Sequence, residues 1–270
     1  MIVIKLRDGL GNQLFQYAIG RSLALKYNTQ LVLDLSRYMD FARYAPREFM
    51  LEHFNLGPKV LAQGDTNQKN YGLVKYLIEK PKNYYSFQKN IFDEGDDILL
   101  DGFWQSYKYF DNYSRVIQKE FTLKEKINPY LEKITKQIND SNSVAIHVRR
   151  TDYVNLPQFC TISPDYYSNA IKEISSKVKD PTFFLFSDDI EGAKKSIDSN
   201  TKIIPVDSKN PLDDFALMKM CKHQIIANST FSWWAAWLNA NPQKIIISPK
   251  NWVKGYSTKD LIPKEWIQIK

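Results

Sequence analysis

The sequence predicts an α/β protein of two doubly wound lobes, and three observations carry that prediction. A β-branched N-terminal segment runs into a glycine turn and then a helical period. From Asn142 onward, apolar segments of strand length alternate with helical ones, and a polar run, Asn139-Asp140-Ser141-Asn142, separates the two regions. Strands alternating with helices imply parallel sheets joined by crossovers. At 270 residues the chain suits one large domain or two small ones, each half long enough for a core of its own.

Each element follows from local pattern. Residues 2–6 (IVIKL) read as a strand and Arg7-Asp8-Gly9-Leu10-Gly11-Asn12 as a turn, after which Leu14, Phe15, Ala18, Ile19 and Leu25 recur at helical spacing. Residues 30–34 (QLVLD) read as the next strand. The stretch 36–95 is aromatic and charged, is broken by Pro46, Pro58 and Pro81, and holds a polar run at 63–70 read as loop. A strand returns at 97–103, followed by helices near 107–121 and 128–139. In the second half 143–148 (SVAIHV) is a strand, and Ser163-Pro164-Asp165 supplies an N-cap and a proline at N1 for a helix running to about residue 179. Further strands fall at 182–186, 202–206, 223–227 and 244–248. These patterns predict lobes 1–140 and 141–270, both Rossmann-like. Open α/β sheets bind ligands beyond the carboxyl ends of their strands, so the expected active site is a cleft between the lobes.

Composition narrows the function. Lys and Arg number 37 against 30 Asp and Glu, a net charge of +7, with 43% apolar residues. No apolar run reaches the ~20 residues of a membrane span. The N-terminus enters strand-like sequence at once, so no secretory leader is expected. Two cysteines, Cys160 and Cys221, and three histidines support neither a disulfide framework nor a zinc module. The positive balance points to nucleic acid, an anionic membrane surface or an anionic small substrate. Lysines are interleaved with Glu79 at 75–89 and with three glutamates at 119–136, and no basic block of five or six occurs, so most are read as solvated and nucleic acid as unsupported.

Four constellations follow strand ends. In His147-Val148-Arg149-Arg150-Thr151-Asp152-Tyr153, two adjacent arginines repel unless they serve an anion. They read either as a pyrophosphate clamp, since the guanidinium fork donates two parallel hydrogen bonds, or as an interlobe salt-bridge cluster including Asp152. Gly9-Leu10-Gly11-Asn12-Gln13 offers exposed amides at a helix start or a plain tight turn. Leu14 stands where a third glycine would belong, so the dinucleotide fingerprint is absent. Phe186-Ser187-Asp188-Asp189 offers carboxylates to a guanine edge or ribose, or an N-cap, and one aspartate can take each role. Asn228-Ser229-Thr230-Phe231-Ser232 opens a helix with polar side chains suited to phosphate. Trp233 and Trp237, one turn apart, read as core or as a sugar platform. A fifth stretch, 102–110 (GFWQSYKYF), lines an acceptor cleft or packs one. No D-x-D sequence occurs, and Cys221-x-His223 reads as buried.

Five segments, 9–17 (GLGNQLFQY), 102–110, 147–153 (HVRRTDY), 186–189 (FSDD) and 228–234 (NSTFSWW), together resemble the α1,2-fucosyltransferases of glycosyltransferase family 11, in order and spacing across both halves. The arginine and T-F-S segments are also similar to those of core α1,6- and protein O-fucosyltransferases, which implies a GT-B-like fold. The resemblance implies that Arg149 contacts the β-phosphate of GDP-fucose with Arg150 in support. It implies that His147 and Asp188 or Asp189 meet guanine and ribose, and that Ser229, Thr230, Phe231 and Ser232, after Asn228, hold pyrophosphate and fucose. The resemblance also implies that Gly11 and Asn12 face the donor and that no metal or other cofactor takes part. Core α1,6 enzymes carry a glutamate soon after the arginine motif, whereas Asn155-Leu156-Pro157-Gln158 has none. Asp152 is therefore read as base or acceptor contact, or as a salt bridge holding Arg150. The expected reaction inverts the β-linked donor to an α1,2-linked product on a terminal galactose, such as that of lipopolysaccharide O-antigen. The rivals are α1,6-type transfer and a non-catalytic glycan- or nucleotide-binding protein. The expected location is cytoplasmic, the +7 charge giving weak attachment to the inner membrane face.

Overall fold

The computed structural model describes residues 1–39, 47–57, 60–63, 75–150, 162–163, 165–197 and 201–270. They form two compact units, Met1–Glu125 with Ser257–Pro263 and Lys126–Tyr256 with Lys264–Lys270.

The first unit contains β1 (Ile2–Lys5), α1 (Leu10–Lys26), β2 (Leu31–Asp34), α2 (Ser36–Met39), β3 (Val60–Gln63), β4 (Lys75–Ile78), β5 (Ile98–Asp101) and α3 (Ser114–Glu120). Its sheet is wholly parallel, in the order β3-β2-β1-β5-β4, so the order reverses beside β1. A parallel sheet covered on both faces needs continuously apolar strands. Accordingly Ile2, Val3, Ile4, Leu31, Leu33, Ile98 and Leu100 are buried. Helix α1 is buried along most of its length, and Gly20 lets it settle on the sheet. A Cβ there would lie 2.8 Å from Leu31 Cδ1 and 3.3 Å from Ile4 Cγ2. One ion pair ties α1 to α3: Arg21 donates to Glu120 Oε1 at 2.8 and 3.0 Å, while the Tyr17 hydroxyl donates to Oε2 at 2.6 Å. Burial, reinforced by Glu120, holds the Tyr17 hydroxyl far above its usual pKa.

The second unit contains α4 (Glu132–Asn139), β6 (Asn142–Val148), α5 (Tyr166–Ser175), β7 (Pro181–Ser187), α6 (Ile190–Lys194), β8 (Ile203–Pro205), α7 (Pro211–Met220), β9 (His223–Ile225), α8 (Thr230–Trp237), β10 (Ile246–Pro249) and β11 (Ile267–Ile269). The parallel order β11-β10-β9-β6-β7-β8 runs outward both ways from β6, the arrangement of dinucleotide-binding folds, with its switch between β6 and β9. Val144, Ile146, Tyr166, Ile174, Leu185, Ile225 and Ile247 lie in one core beneath it.

The structure departs from the sequence reading at particular places. The units divide at Glu125 and Lys126 rather than near 140, because α4 packs against β6 and α7 and buries Ile138 with them. The helix expected near 107–121 is two 3-10 turns, Tyr107–Tyr109 and Asp111–Tyr113, followed by α3. Consecutive buried residues, Tyr109 and Phe110, do not fit one face of an α-helix. Helix α5 starts at Tyr166 with Asp165 as N-cap and no side-chain cap bond; Pro164 lies outside the described residues. Strands β3, β4 and β11 were not anticipated, and β4 is an edge strand with little burial to mark it. Among the described residues, no helix is long and apolar enough to cross a membrane.

Replacing Arg21 with Met should leave the Glu120 carboxylate buried without its counterion, at a cost of about 3–5 kcal/mol. Chemical denaturation should report the loss, and adding Glu120→Gln should recover most of it. A near-native midpoint for Arg21→Met would show the pair to be dispensable.

Candidate active site

Strand β6 ends at the switch point of the second sheet and delivers the arginine motif there. His147 pairs in register with Phe186 of β7 and Val148 with Ser187, so the two motifs emerge side by side. His147 is 5% exposed and its carbonyl accepts the Tyr167 hydroxyl at 3.1 Å. Burial first, and the Arg149 charge second, push its pKa down to about 3, while Asp188 opposes them. The imidazole is therefore neutral near pH 7. Its Nδ1 is buried without a hydrogen-bond partner among the described residues.

The two arginines are held by the two aspartates of the neighbouring strand end. An Arg149 guanidinium nitrogen lies 3.3 Å from Asp188 Oδ2, and the Arg150 main-chain N–H donates to Asp188 Oδ1 at 3.0 Å. Arg150 Nε donates to Asp189 Oδ2 at 3.2 Å, and its guanidinium also reaches Ser196 Oγ at 3.5 Å. Asp189 caps α6 as well, accepting the Gly192 N–H at 2.9 Å. Gly192 is required there, since a Cβ would fall 2.0 Å from Asp189 Oδ2 and 2.6 Å from Arg150 Nε. Ser187 Oγ closes the turn by accepting the Asp189 N–H at 3.1 Å. The Arg149 side chain is about a quarter exposed.

Across the switch point, the segment after β9 carries the third motif. Asn228 Nδ2 donates to the Trp252 carbonyl and buried Ser232 to the Ser229 carbonyl, so both side chains serve the backbone. Ser229 is the N-cap of α8 and makes no side-chain cap bond, and Thr230 is the first residue of the helix. The Phe231 ring lies 5.8 Å from the His147 ring, which brings the two motifs together, and 5.4 Å from Phe215. Trp233 is fully buried, stacked on Trp237 with ring centres 6.3 Å apart and tilted against Trp266 at 5.4 Å, so this face of α8 packs the core. Asp214, passed over in the sequence reading, is a mostly buried carboxyl beside Phe215; burial pushes its pKa up to about 6. An acidic pair in the first turn of α7 was the available signal.

In the first unit Gly9 is the N-cap of α1, and its carbonyl accepts the Asn12 and Gln13 N–H groups at 3.0 and 3.2 Å. Buried Gly11 and half-buried Asn12 follow in the first turn. The glutamines of this motif do structural work that the sequence did not reveal. Gln13 bridges the Asp8 and Glu48 carbonyls and the Met50 N–H, while Gln16 joins the Arg7 N–H to the Gly102 carbonyl. The 102–110 stretch is mainly packing: Trp104, Tyr109 and Phe110 are buried, and Ser106 and Lys108 hold Asp260. Asp152 and Cys160 lie outside the described residues.

Comparison with known proteins places these motifs in context. Residues 1–270 match the profile of Glycosyl transferase family 11. The chain is 31% identical to an alpha-1,2-colitosyltransferase of Escherichia coli, covering 100% of this chain and 99% of that one. It is 29% identical to the O-antigen biosynthesis glycosyltransferase WbnK of the same organism, over 98% and 99% of the two chains. Identity to the mouse galactoside 2-alpha-L-fucosyltransferase Sec1 is 25%, over 88% of this chain and 64% of that one. The fold matches that of the NodZ alpha-1,6-fucosyltransferase solved after soaking with GDP-fucose, at TM-score 0.54 and 17% identity, covering 91% and 94% of the chains.

The depressed pKa of His147 has a signed consequence for stability. Above pH 6.5 the group is neutral in both folded and unfolded chains and contributes nothing; below it only the unfolded chain takes up the proton. Stability should therefore fall as pH drops from 6.5 toward 3, with a slope of up to about 1.4 kcal/mol per pH unit from this residue. His223, also lowered by burial, acts in the same direction. Denaturation of His147→Gln across that range should show a shallower slope, and an unchanged one would mean the imidazole protonates in the fold.

Proposed function

The chain belongs to glycosyl transferase family 11, and we propose that it transfers L-fucose from GDP-β-L-fucose to the 2-hydroxyl of a terminal galactose, with inversion. The observation that carries this reading is the convergence at one switch point of an ion-paired, partly exposed Arg149 and the N-terminus of α8. Open α/β sheets take their ligands at such a point, and helix amides with a guanidinium suit a diphosphate. The α1,2 linkage and galactose acceptor rest on the relatives, one named for α1,2 transfer and one for a galactoside substrate. An O-antigen acceptor rests on the relative named for O-antigen biosynthesis.

In the proposed reaction the acceptor oxygen attacks the anomeric carbon as the bond to the β-phosphate breaks. GDP departs with the electron pair, and the acceptor proton passes to a base or, late, to the phosphate. Positive charge develops on the sugar and negative charge on GDP. Arg149 and the amides of Thr230 and Phe231 take up the latter, so the proposal needs no metal and no cofactor. Each such donor is worth about 10²–10³ in rate. Asp188 orients the Arg149 fork, and Arg150, fastened to Asp189, supports it. Neutral His147 offers Nδ1 to the nucleoside. Asp152 is kept as the proposed base or acceptor contact. We place the reaction in the cytoplasm, with the +7 charge favouring an anionic membrane face. Transfer of colitose is the second reading, favoured by the 31% identity to the colitosyltransferase.

GDP should raise the melting temperature more than UDP or ADP at equal concentration. Equal shifts would remove the guanine assignment. GDP-fucose should turn over on β-galactosides in EDTA, the product analysed for linkage, and loss of turnover restored by magnesium would defeat the metal-free reaction. Arg149→Lys should keep the fold and lower kcat by about 10²-fold or more, since lysine cannot form the fork. Near-normal kcat would refute the clamp.

A further inference from the structure

We propose that Tyr166 and Tyr167 are positioning residues for the transfer: their adjacent hydroxyls hold the strand ends on the two sides of the second sheet's switch point and so set how the arginine motif stands to the start of α8. The inference rests on the transferase reading and adds to it a role for two residues that no motif singled out.

The pairing of β6 with β9 stops at Ile146 and Ile225. The next carbonyl on each strand is taken by a tyrosine. Tyr167 donates its hydroxyl to the His147 carbonyl at 3.1 Å, and Tyr166 donates to the Ile226 carbonyl at 2.7 Å. The Tyr166 hydroxyl also lies 3.2 Å from the Ile247 carbonyl, which accepts the Ile226 N–H at 2.9 Å, so β10 is joined to the same contact. The first two residues of α5 thus reach three strands of the sheet.

A buried hydroxyl is costly unless it is bonded, and phenylalanine would fill nearly the same space without that demand. Tyr166 is fully buried and Tyr167 nearly so, with ring centres 4.9 Å apart in an edge-to-face contact, so each ring fixes the other. Burial holds both hydroxyls far above their usual pKa, so they stay protonated and act as donors. The backbone they hold leads directly to the site. Two residues beyond His147 stands Arg149, and the charges of Arg150 and Asp188 lie close enough to act on the Tyr167 hydroxyl. Three residues beyond Ile226 stands Ser229, the N-cap of α8, and between them the Asn228 side chain is tied to the Trp252 carbonyl. Past the last rung of the ladder, the tyrosine hydroxyls hold these two segments to one helix, and so to each other.

Phenylalanine at either position removes one oxygen and leaves the ring. Tyr166→Phe and Tyr167→Phe, assayed with GDP-fucose well below their melting temperatures, should each lower kcat about tenfold to a hundredfold, as expected of reacting groups out of place by up to about 1 Å. The two losses should differ in kind. Combined with Arg149→Lys, Tyr167→Phe should cost no more than about twofold further, because it acts through the arginine motif, whereas Tyr166→Phe, acting through α8, should keep its full effect. A merely structural loosening would lower the melting temperature and spare kcat, or would act alike on both backgrounds. Near-normal kcat in both variants, or a Tyr167→Phe loss undiminished beside Arg149→Lys, would overturn the proposal. If one variant does not fold, the other decides alone, and failure of both to fold would mark the hydroxyls as structural and overturn it too. A wild-type chain that transfers neither fucose nor colitose would instead overturn the transferase reading itself, and the proposal with it.

Discussion

Two arginines in succession at the end of one parallel strand repel each other, and the second unit resolves this with carboxylates from the adjacent strand. Asp188 faces Arg149, Asp189 faces Arg150, and the β6–β7 register sets both pairs by placing Val148 beside Ser187. A one-residue slip would send these side chains to the other face. The pairing is local to this unit and only partly buried, so each contact is worth little in stability. What it supplies is orientation: each guanidinium is fixed against a carboxylate just beyond the end of β7.

The first unit solves a different problem with the same economy. Its glycine turn carries no fingerprint, yet it is braced on every side by side-chain amides of α1. Gln13 and Gln16 tie the 7–8, 48–50 and 102 backbone segments to the helix that begins at Gly11's neighbour Leu10. Buried glutamines with all of these bonds made are rigid, and an unmade one would cost more than an apolar residue. The turn that leads into α1 is thereby fastened to the core.

Much was legible in the chain itself. Alternation of apolar strands and helical periods predicted the parallel α/β class, and β1, β2, β5, β6, β7 and β9 lie within a few residues of where periodicity put them. Less legible were β4, whose edge position leaves it exposed and without alternation, and the 107–113 segment, where buried aromatics interrupt the helix. The polar run near 140 marks an exposed surface, whereas the unit to which α4 belongs is set by its packing. For the site, the motifs were visible as strand ends rich in Arg, Asp, Ser and Thr.

Residue identity and spacing by themselves determined the fold class, the family resemblance and the set of strand-end motifs, because periodicity and motif order are local properties of the chain. Only the tertiary structure decided which members of each motif serve the backbone and which pair with side chains of another motif. Asn228 and Ser232 turn to main-chain carbonyls, Asp189 caps a helix while gripping Arg150, and Glu79, from a stretch with no readable pattern, reaches the turn after β5. Those roles depend on contacts between residues far apart in sequence, and the hydrogen-bonding needs of a buried group are fixed only when its neighbours are.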